Sequence, residues 1–202
     1  MAAPHYAEWQ TRKRSSDRLI NYLQKKQRPL DILEIGCGNG WLAAKMADIP
    51  GANVTGMDII PTEINQAERV FRNDNLQFRC GIFEAGMPNG HRFDIIVFAA
   101  VLPYFASIND TLKLALNHLN PGGELHMLDT PFYTAEEARP ARERCIAYYN
   151  QMGFPEMSLQ YFHHTLQELE GFNCRVLFNP RNLLNRITKK DRFQWICITD
   201  QP

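Results

Sequence analysis

Paired cysteines, a surplus of charge of one sign and long apolar runs are all lacking in this sequence. Its five cysteines are scattered without a C-x-x-C pair, so the sequence predicts neither a disulfide framework nor a zinc site. Its 22 basic and 22 acidic residues balance, so the protein has no net positive charge to attract the phosphate backbone of a nucleic acid. Its longest apolar stretch, residues 95–105, is too short to span a bilayer. We therefore expect a cytoplasmic protein that binds neither metal, membrane nor nucleic acid.

Apolar residues are plentiful enough for one packed domain, since 45% of the 202 residues are hydrophobic. Residues 5–27 carry a sparse apolar face that includes Leu19 and Leu23, which predicts an N-terminal helix. Short apolar runs then alternate with helical segments, which predicts a parallel sheet covered by helices on both faces. The strands of this predicted sheet are residues 31–35, 53–58, 76–80, 93–99 and 124–129.

The pattern changes after the fifth predicted strand. Residues 131–170 are helical in character and rich in aromatic side chains. Residues 173–178 and 193–199 are strand-like and have no helix-length periodic segment between them, which predicts an antiparallel hairpin at one sheet edge. The predicted fold is α/β and Rossmann-like: a doubly wound, seven-stranded, mostly parallel sheet with a C-terminal antiparallel hairpin.

A glycine loop joins the first predicted strand to the helix that follows it. Residues 34–40 read Glu-Ile-Gly-Cys-Gly-Asn-Gly, and glycines let a backbone turn tightly and approach a ligand closely. In doubly wound sheets this loop borders the ligand crevice. Asp58 ends the next predicted strand, where its carboxylate can accept hydrogen bonds from both hydroxyls of a ribose. Together these features predict an adenosine-containing cofactor.

Two classes of cofactor fit a loop of this kind. Residues 38–43 match the pattern G-x-G-x-x-G/A, so an NAD(P)-dependent oxidoreductase is one alternative. Glu34 argues against it, because a carboxylate is poorly placed beside a pyrophosphate and well placed for a cation. S-adenosylmethionine carries a sulfonium and an ammonium group, so the charge of Glu34 favours it. A cofactor-binding module without catalytic activity is a third alternative.

From about residue 30 to residue 129, and again in the hairpin after Phe172, the chain resembles the class I S-adenosylmethionine-dependent methyltransferases. The resemblance rests on the glycine loop, on Gly-Met-Asp-Ile at 56–59, on Phe-Asp-Ile-Ile-Val at 93–97 and on Asn-Pro-Gly-Gly at 120–123. It implies a single domain, residues 1–202, that transfers a methyl group to a small-molecule acceptor by in-line displacement, as a monomer or homodimer. It also implies a helical lid at residues 1–28, with Trp9 and Arg12, and a substrate-side helical insertion at residues 131–170.

The same resemblance implies a set of cofactor contacts around the glycine loop. Glu34 would support the amino group of the cofactor, Asp58 its ribose and Ile59 its adenine. Many relatives have an acidic residue after the third strand, but this chain reads Gly-Ile-Phe at 81–83, so we expect apolar packing and backbone amides to hold the adenine. The predicted cofactor-binding residues are Glu34, Gly36, Cys37, Gly38, Gly40, Asp58, Ile59, Ile82, Phe83 and Ala99.

Weaker signals indicate the acceptor side of the site. An acceptor hydroxyl needs a general base, for which the candidate catalytic residues are Asp129, Tyr133, His163 and His164. The candidate substrate-binding residues are the aromatic side chains Tyr6, Tyr104, Phe132 and Tyr149. Aromatic residues at helical spacing are as typical of a core as of a pocket, and a histidine pair is common at a solvated helix end.

One cluster of basic residues suggests contact with nucleic acid. Its position between the two strands of the predicted hairpin is more typical of a solvated loop, which is the interpretation we favour. The cluster consists of Arg181, Arg186, Lys189, Lys190 and Arg192.

Overall fold

The structure, a computed structural model, describes residues 6–83, 90–182, 185 and 191–199. Seven strands are present in this part of the chain: β1 (Leu30–Ile35), β2 (Ala52–Asp58), β3 (Leu76–Cys80), β4 (Phe93–Ala99), β5 (Leu119–Leu128), β6 (Cys174–Phe178) and β7 (Trp195–Thr199). They form one sheet in the order β3-β2-β1-β4-β5-β7-β6. Strands β1 to β5 pair in parallel, whereas β7 is antiparallel to both β5 and β6. The predicted fold class, with its C-terminal hairpin, is confirmed.

Five α-helices pack around this sheet in the described residues: α1 (Tyr6–Gln24), α2 (Trp41–Ala47), α3 (Pro61–Val70), α4 (Ile108–Asn117) and α5 (Ala135–Met152). Three 3₁₀ turns lie at Leu102–Tyr104, Pro155–Gln160 and Leu166–Leu169. Ser107 caps α4, because its hydroxyl oxygen accepts the backbone N–H of Asp110 at 3.3 Å. No helix among the described residues combines the length and the apolar character needed to cross a membrane.

The core lies on both faces of the sheet. In β4, Ile95 and Val97 join one apolar cluster, which α1 and α2 complete, whereas Ile96 and Phe98 join the other cluster, which α4 completes. Successive side chains of a strand point to opposite faces, so a strand buried on both sides needs the continuous apolar run that the sequence shows here. Leu19 of α1 is fully buried in the first cluster, which makes the N-terminal helix part of the core.

The predicted fifth strand begins at residue 124, but in the structure β5 also includes residues 119–123. These residues belong to β5 and form an irregular bulge, since Phe93 pairs with Leu119 but Ile95 already pairs with Glu124. Gly122 supplies the positive φ of +75° within the bulge. The strand ends at Leu128, one residue earlier than predicted, so Asp129 lies at the carboxyl edge of the sheet.

A polar network links α1 to β5 and β7. Glu124, His126 and Cys197 bring potential ligand atoms within 4.8 Å of one another. The indole N–H of Trp195 donates to Nδ1 of His126 at 3.1 Å, so Nδ1 is the acceptor and Nε2 carries the proton that faces Glu124. Tyr22 of α1 donates to the same carboxylate at 3.0 Å, and Lys26, in the turn after α1, pairs with it at 2.8 Å. We therefore interpret the cluster as a structural contact and not as a metal centre.

Candidate functional site

The glycine loop between β1 and α2 has a conformation that requires its glycines. Gly36, Gly38 and Gly40 have φ angles of +71°, +52° and +80°, all in the left-handed region. A Cβ atom on Gly36 would lie 2.1 Å from the side chain of Val101, and one on Gly40 would lie 2.6 Å from the ring of Phe78. At Gly38 the nearest atom to such a Cβ would be 4.0 Å away. Packing therefore fixes the first and third glycines, whereas Gly38 faces open space.

Asp58 locks this loop against the end of β2. Its Oδ2 accepts the backbone N–H of Gly38 at 2.8 Å, and its Oδ1 accepts the N–H of Ile60 at 2.9 Å. Each carboxylate oxygen can accept a further hydrogen bond, so the oriented carboxylate retains the capacity to bind the two hydroxyls of a ribose.

The residues predicted to hold the adenine fall into two groups. The side chains of Ile59 and Ile82 are 66% and 59% exposed and offer apolar surface at the ends of β2 and β3. Phe83 is buried in the core, where the centre of its ring lies 5.9 Å from the centre of the His118 ring. A contact between Phe83 and the cofactor is therefore limited to backbone atoms.

Glu34 is a buried carboxyl group with an unused oxygen. It lies at the end of β1, its side chain is 3% exposed, and its Oε2 has no hydrogen-bond partner among the described residues. Burial raises the pKa of Glu34 well above its usual value, and the negative charge of Asp58 adds to the rise. A buried carboxyl oxygen without a hydrogen-bond partner lowers stability, so a cationic group placed beside it would be stabilised strongly. The arrangement fits the ammonium group of S-adenosylmethionine.

Glu34 opens onto a cavity of about 290 Å³, which we call the inner cavity. The glycine loop forms one wall of this cavity and α1 forms another. The Nζ of Lys45 in α2 donates hydrogen bonds to the hydroxyl of Ser16 at 2.9 Å and to a carboxylate oxygen of Asp17 at 2.7 Å, which ties α1 to α2. The predicted residues Cys37 and Ala99 also line it, and the Cys37 thiol is buried. The residues of α1 that line the inner cavity are Trp9, Arg12, Ser15 and Ser16.

The position of α1 limits which residues of the predicted lid, residues 1–28, could move. Residues 1–5 lie outside the described part of the chain. From Ser15 onward the helix is anchored, because Ser15, Leu19 and Leu23 are buried between the helix and the sheet. Before Ser15, Trp9 is half exposed and its ring meets the edge of Trp41 at 5.8 Å. A closing movement would therefore be restricted to the first turns of α1.

We predict that Trp9→Ala weakens the binding of S-adenosylhomocysteine by about tenfold, because the indole covers the inner cavity and excludes water from it. Titration calorimetry measures the affinity, and the thermal midpoint is expected to stay unchanged because Trp9 is half exposed. Lys13→Ala, on the exposed face of the same helix, is the matched control and should bind as wild type does. Equal affinities for the two variants would remove the covering role of Trp9.

A second, larger cavity of about 840 Å³ adjoins the first, and we call it the outer cavity. Arg12, Ala100 and Asp129 line both cavities. The candidate substrate residues Tyr6 and Tyr104 line the outer cavity. Tyr161 and Phe193 line it as well, although they are not among the predicted contacts.

Asp129 is held firmly at the junction of the inner and outer cavities. Its backbone has a φ of +52°, unusual for a residue other than glycine, and Ser15 donates a hydrogen bond to its Oδ2 at 2.6 Å. Burial raises the pKa of Asp129, against the opposing effects of the Ser15 hydrogen bond and the positive charge of Arg12. The sequence gives no signal for Ser15, whose role depends on the docking of α1.

The remaining candidates lie away from this junction. Phe132 and Tyr133 line a third cavity, and His163 packs beside Tyr133 with the ring centres 5.5 Å apart. Tyr149 contacts Tyr148, with ring centres 5.3 Å apart. Among the described residues that line the inner and outer cavities, none of these four side chains is present.

His164, a candidate catalytic residue, is buried away from the junction of the inner and outer cavities. The side chain is 3% exposed, and its Nε2 lies 3.1 Å from the carbonyl oxygen of Leu102 and 3.0 Å from that of Phe105. Its Nδ1 lies 3.1 Å from a carboxylate oxygen of Glu168. Both ring nitrogens are therefore occupied by contacts within the protein, and neither faces the inner or the outer cavity.

Sequence comparison relates the chain to known enzymes. The family described as "Methyltransferase domain" matches residues 6–176. A malonyl-acyl-carrier protein O-methyltransferase from Acetivibrio thermocellus is 33% identical over 104 residues, which are 51% of this chain and 36% of that protein. A ubiquinone biosynthesis O-methyltransferase from Bartonella tribocorum is 36% identical over 96 residues, 46% of this chain and 38% of that protein. The chain thus spans less than half of the length of these curated relatives.

Structural comparison supports the same fold over almost the whole chain. The plantazolicin methyltransferase BpumL, solved in complex with SAH, superposes with a TM-score of 0.65 at 18% identity, over 95% of this chain and 85% of BpumL. The N-methyltransferase NodS from Bradyrhizobium japonicum WM9 superposes with a TM-score of 0.59 at 17% identity, over 95% of this chain and 97% of NodS. At such identities the likeness establishes the fold.

Proposed function

Because this chain belongs to the methyltransferase-domain family, we propose that it transfers the methyl group of S-adenosylmethionine to a small molecule held in the outer cavity. The observation that carries this proposal is the wall that the two cavities share, formed by Arg12, Ala100 and Asp129. A donor in the inner cavity would meet an acceptor in the outer cavity at this wall. Such alignment of two reactants is a large part of the catalysis that a transferase provides.

Residues around the inner cavity fit the donor chemically. The unpaired carboxyl oxygen of Glu34 suits an ammonium group, the glycine loop leaves room for the methionine part, and Asp58 suits the ribose. When bound, S-adenosylmethionine supplies a methyl group that its positively charged sulfur has already activated for displacement. The residues of the chain therefore have to align the reactants, exclude water and remove one proton from the acceptor.

We assign to Asp129 the role of the general base, which takes the proton of the methyl acceptor. Ser15 holds its Oδ2, which leaves Oδ1 to accept the proton of an acceptor O–H or N–H group as the nucleophile attacks. Burial raises the pKa of Asp129, so the carboxylate becomes a stronger base than an exposed aspartate. The basic form is lost as the pH falls through this raised pKa, and the transfer rate should fall with it.

The alternative of an NAD(P)-dependent oxidoreductase has one supporting observation, the match at residues 38–43. The environment of Glu34 weighs against it, because the buried carboxyl would repel the phosphates of a dinucleotide. The alternative of a non-catalytic module is weakened by the presence of Asp129 at the junction of the two cavities.

The first test compares two ligands by thermal unfolding. At a hundred times its dissociation constant, S-adenosylhomocysteine is expected to stabilise the protein by about 2.7 kcal/mol, and NADH is expected to leave the midpoint unchanged. In a second measurement, the protein is incubated with methyl-labelled S-adenosylmethionine and a cell extract. The label should enter compounds that pass an ultrafiltration membrane.

Each measurement can contradict a different part of the proposal. Stabilisation by NADH without stabilisation by S-adenosylhomocysteine would overturn the assignment of the methyl donor. Label that is retained with protein or nucleic acid would overturn the small-molecule acceptor. Boiled protein serves as the control for label that transfers without catalysis.

A further inference from the structure

Three arginine side chains from separate parts of the chain converge on the third cavity. Arg144 comes from α5, Arg181 follows β6 and Arg192 precedes β7. The cavity has a volume of about 260 Å³, and we call it the arginine cavity. Phe132 and Tyr133, which the sequence analysis assigns to the acceptor, form part of its wall.

The charges in the arginine cavity do not balance. Among the described residues that line it, Glu137 is the carboxylate, and this group pairs with Arg181 at 3.3 Å. Within the described part of the chain, Arg144 and Arg192 form no ion pair. Two guanidinium groups thus remain without counter-charge in a concave site, where the positive potential is focused.

The arginine cavity is continuous with the outer cavity. Pro131, Arg192 and Phe193 line both of them. The outer cavity in turn reaches Asp129 at the junction with the inner cavity. Adjoining cavities, with aromatic side chains in their walls, therefore lie between the proposed point of methyl transfer and the arginines without an ion pair in the described part of the chain.

We propose that the arginine cavity binds an oxyanion, a carboxylate or a phosphate group, at the far end of the methyl acceptor. A guanidinium group presents planar, paired N–H donors that match either oxyanion, and the interaction with an ionised partner is stronger than a neutral hydrogen bond. The aromatic residues between the two ends suit an apolar or planar body. This inference rests on the proposed function, because it takes the ligand of the outer cavity to be the acceptor.

The sequence analysis interprets the basic residues of this region as a solvated loop. Arg186, Lys189 and Lys190 of that cluster lie outside the described residues. Arg181 and Arg192 are exposed, as a solvated loop requires, yet both line the same concave site as Arg144 from another element. Convergence from separate elements is the feature that a solvated loop leaves unexplained.

The experiment compares matched probes on protein saturated with S-adenosylhomocysteine. Phenylacetate and phenyl phosphate carry the two kinds of oxyanion, and phenylacetamide is the uncharged counterpart of the first. Binding is followed by the amide resonances of Thr130 and Gln194, which line the arginine cavity. At least one anion is expected to bind about tenfold more tightly than phenylacetamide. The anion that binds more tightly identifies whether a carboxylate or a phosphate is preferred.

Variants test whether Arg144 and Arg192 cause the preference for anions. The double variant Arg144→Ala/Arg192→Ala should lose the preference for the anions and should bind phenylacetamide as wild type does. Arg139→Ala is the matched control, because this exposed arginine of α5 pairs with Glu143 instead of lining the cavity. Both substitutions lie on exposed side chains, and unchanged binding of S-adenosylhomocysteine shows that each variant is folded.

The outcomes separate this inference from the proposed function. Anions that bind no better than phenylacetamide, anions that bind the double variant as tightly as wild type, and probes that fail to bind at millimolar concentration would each overturn the oxyanion site. Failure of the wild-type protein to bind S-adenosylhomocysteine would overturn the proposed function instead.

Discussion

Replacing Glu34 by glutamine is expected to weaken the binding of S-adenosylhomocysteine by about 100-fold, or about 3 kcal/mol. The carboxyl oxygen that lacks a partner in the inner cavity is the group that would receive the ligand ammonium. Glutamine has nearly the same shape but cannot supply the negative charge. Titration calorimetry at neutral pH measures the loss.

The same variant should be at least as stable as wild type when no ligand is bound. Burial raises the pKa of Glu34 in the folded state, so the wild-type protein is most stable while this group is protonated. That stability is lost as the pH rises through the raised pKa, because a negative charge must then be buried beside the negative charge of Asp58. Glutamine does not ionise, so chemical denaturation of Glu34→Gln should lack this pH-dependent loss.

A matched control separates the site from the general effect of losing a carboxylate. Glu68 is exposed on α3, and Glu68→Gln should change neither the affinity nor the stability. If Glu34→Gln binds the ligand as tightly as Glu68→Gln does, the role assigned to Glu34 is wrong.

Asp58→Ala is expected to reduce the affinity for S-adenosylhomocysteine by at least about 100-fold while the protein stays folded. The substitution removes the acceptor for the ribose hydroxyls and also the two oxygens that hold the N–H groups of Gly38 and Ile60. The ribose contact and the shape of the glycine loop are therefore lost together. Calorimetry measures the affinity, and circular dichroism checks the fold.

Two further variants make the Asp58 result interpretable. Asp58→Asn keeps one acceptor oxygen and is expected to bind with intermediate affinity. Asp74 is exposed in the turn before β3, so Asp74→Ala should bind as wild type does. Wild-type affinity in Asp58→Ala would mean that the ribose is held elsewhere.

The glycine loop and the strands could be predicted because their signals are local. Alternating glycines at 36, 38 and 40 follow from three positive φ angles, and the apolar run of β4 follows from burial on both faces. The methyltransferase family was predicted from the same residues and is confirmed by the family match over residues 6–176.

The side chains around the outer cavity could not be predicted, because their positions depend on contacts between residues far apart in the sequence. Ser15 lies far from Asp129 in sequence, and only the docking of α1 on the sheet brings the two side chains together. His164 has the residue type of a general base, but tertiary packing places its Nε2 against the carbonyl oxygens of Leu102 and Phe105. Residue type alone therefore does not show which candidates on the acceptor side reach the cavity.

The anchoring of α1 has a consequence for the order of folding during synthesis. Arg14 and Arg18 of this helix pair with Asp191 at 2.7 and 2.8 Å, and β7, which follows Asp191, inserts between β5 and β6. The helix is made first but gains these partners only after residues 191–199 have left the ribosome. Contacts of such large sequence separation form late and slow the completion of a fold. A nascent chain should therefore complete the docking of α1 only after β7 has been synthesised, and a chain truncated before residue 191 should lack the ion pairs that hold Arg14 and Arg18.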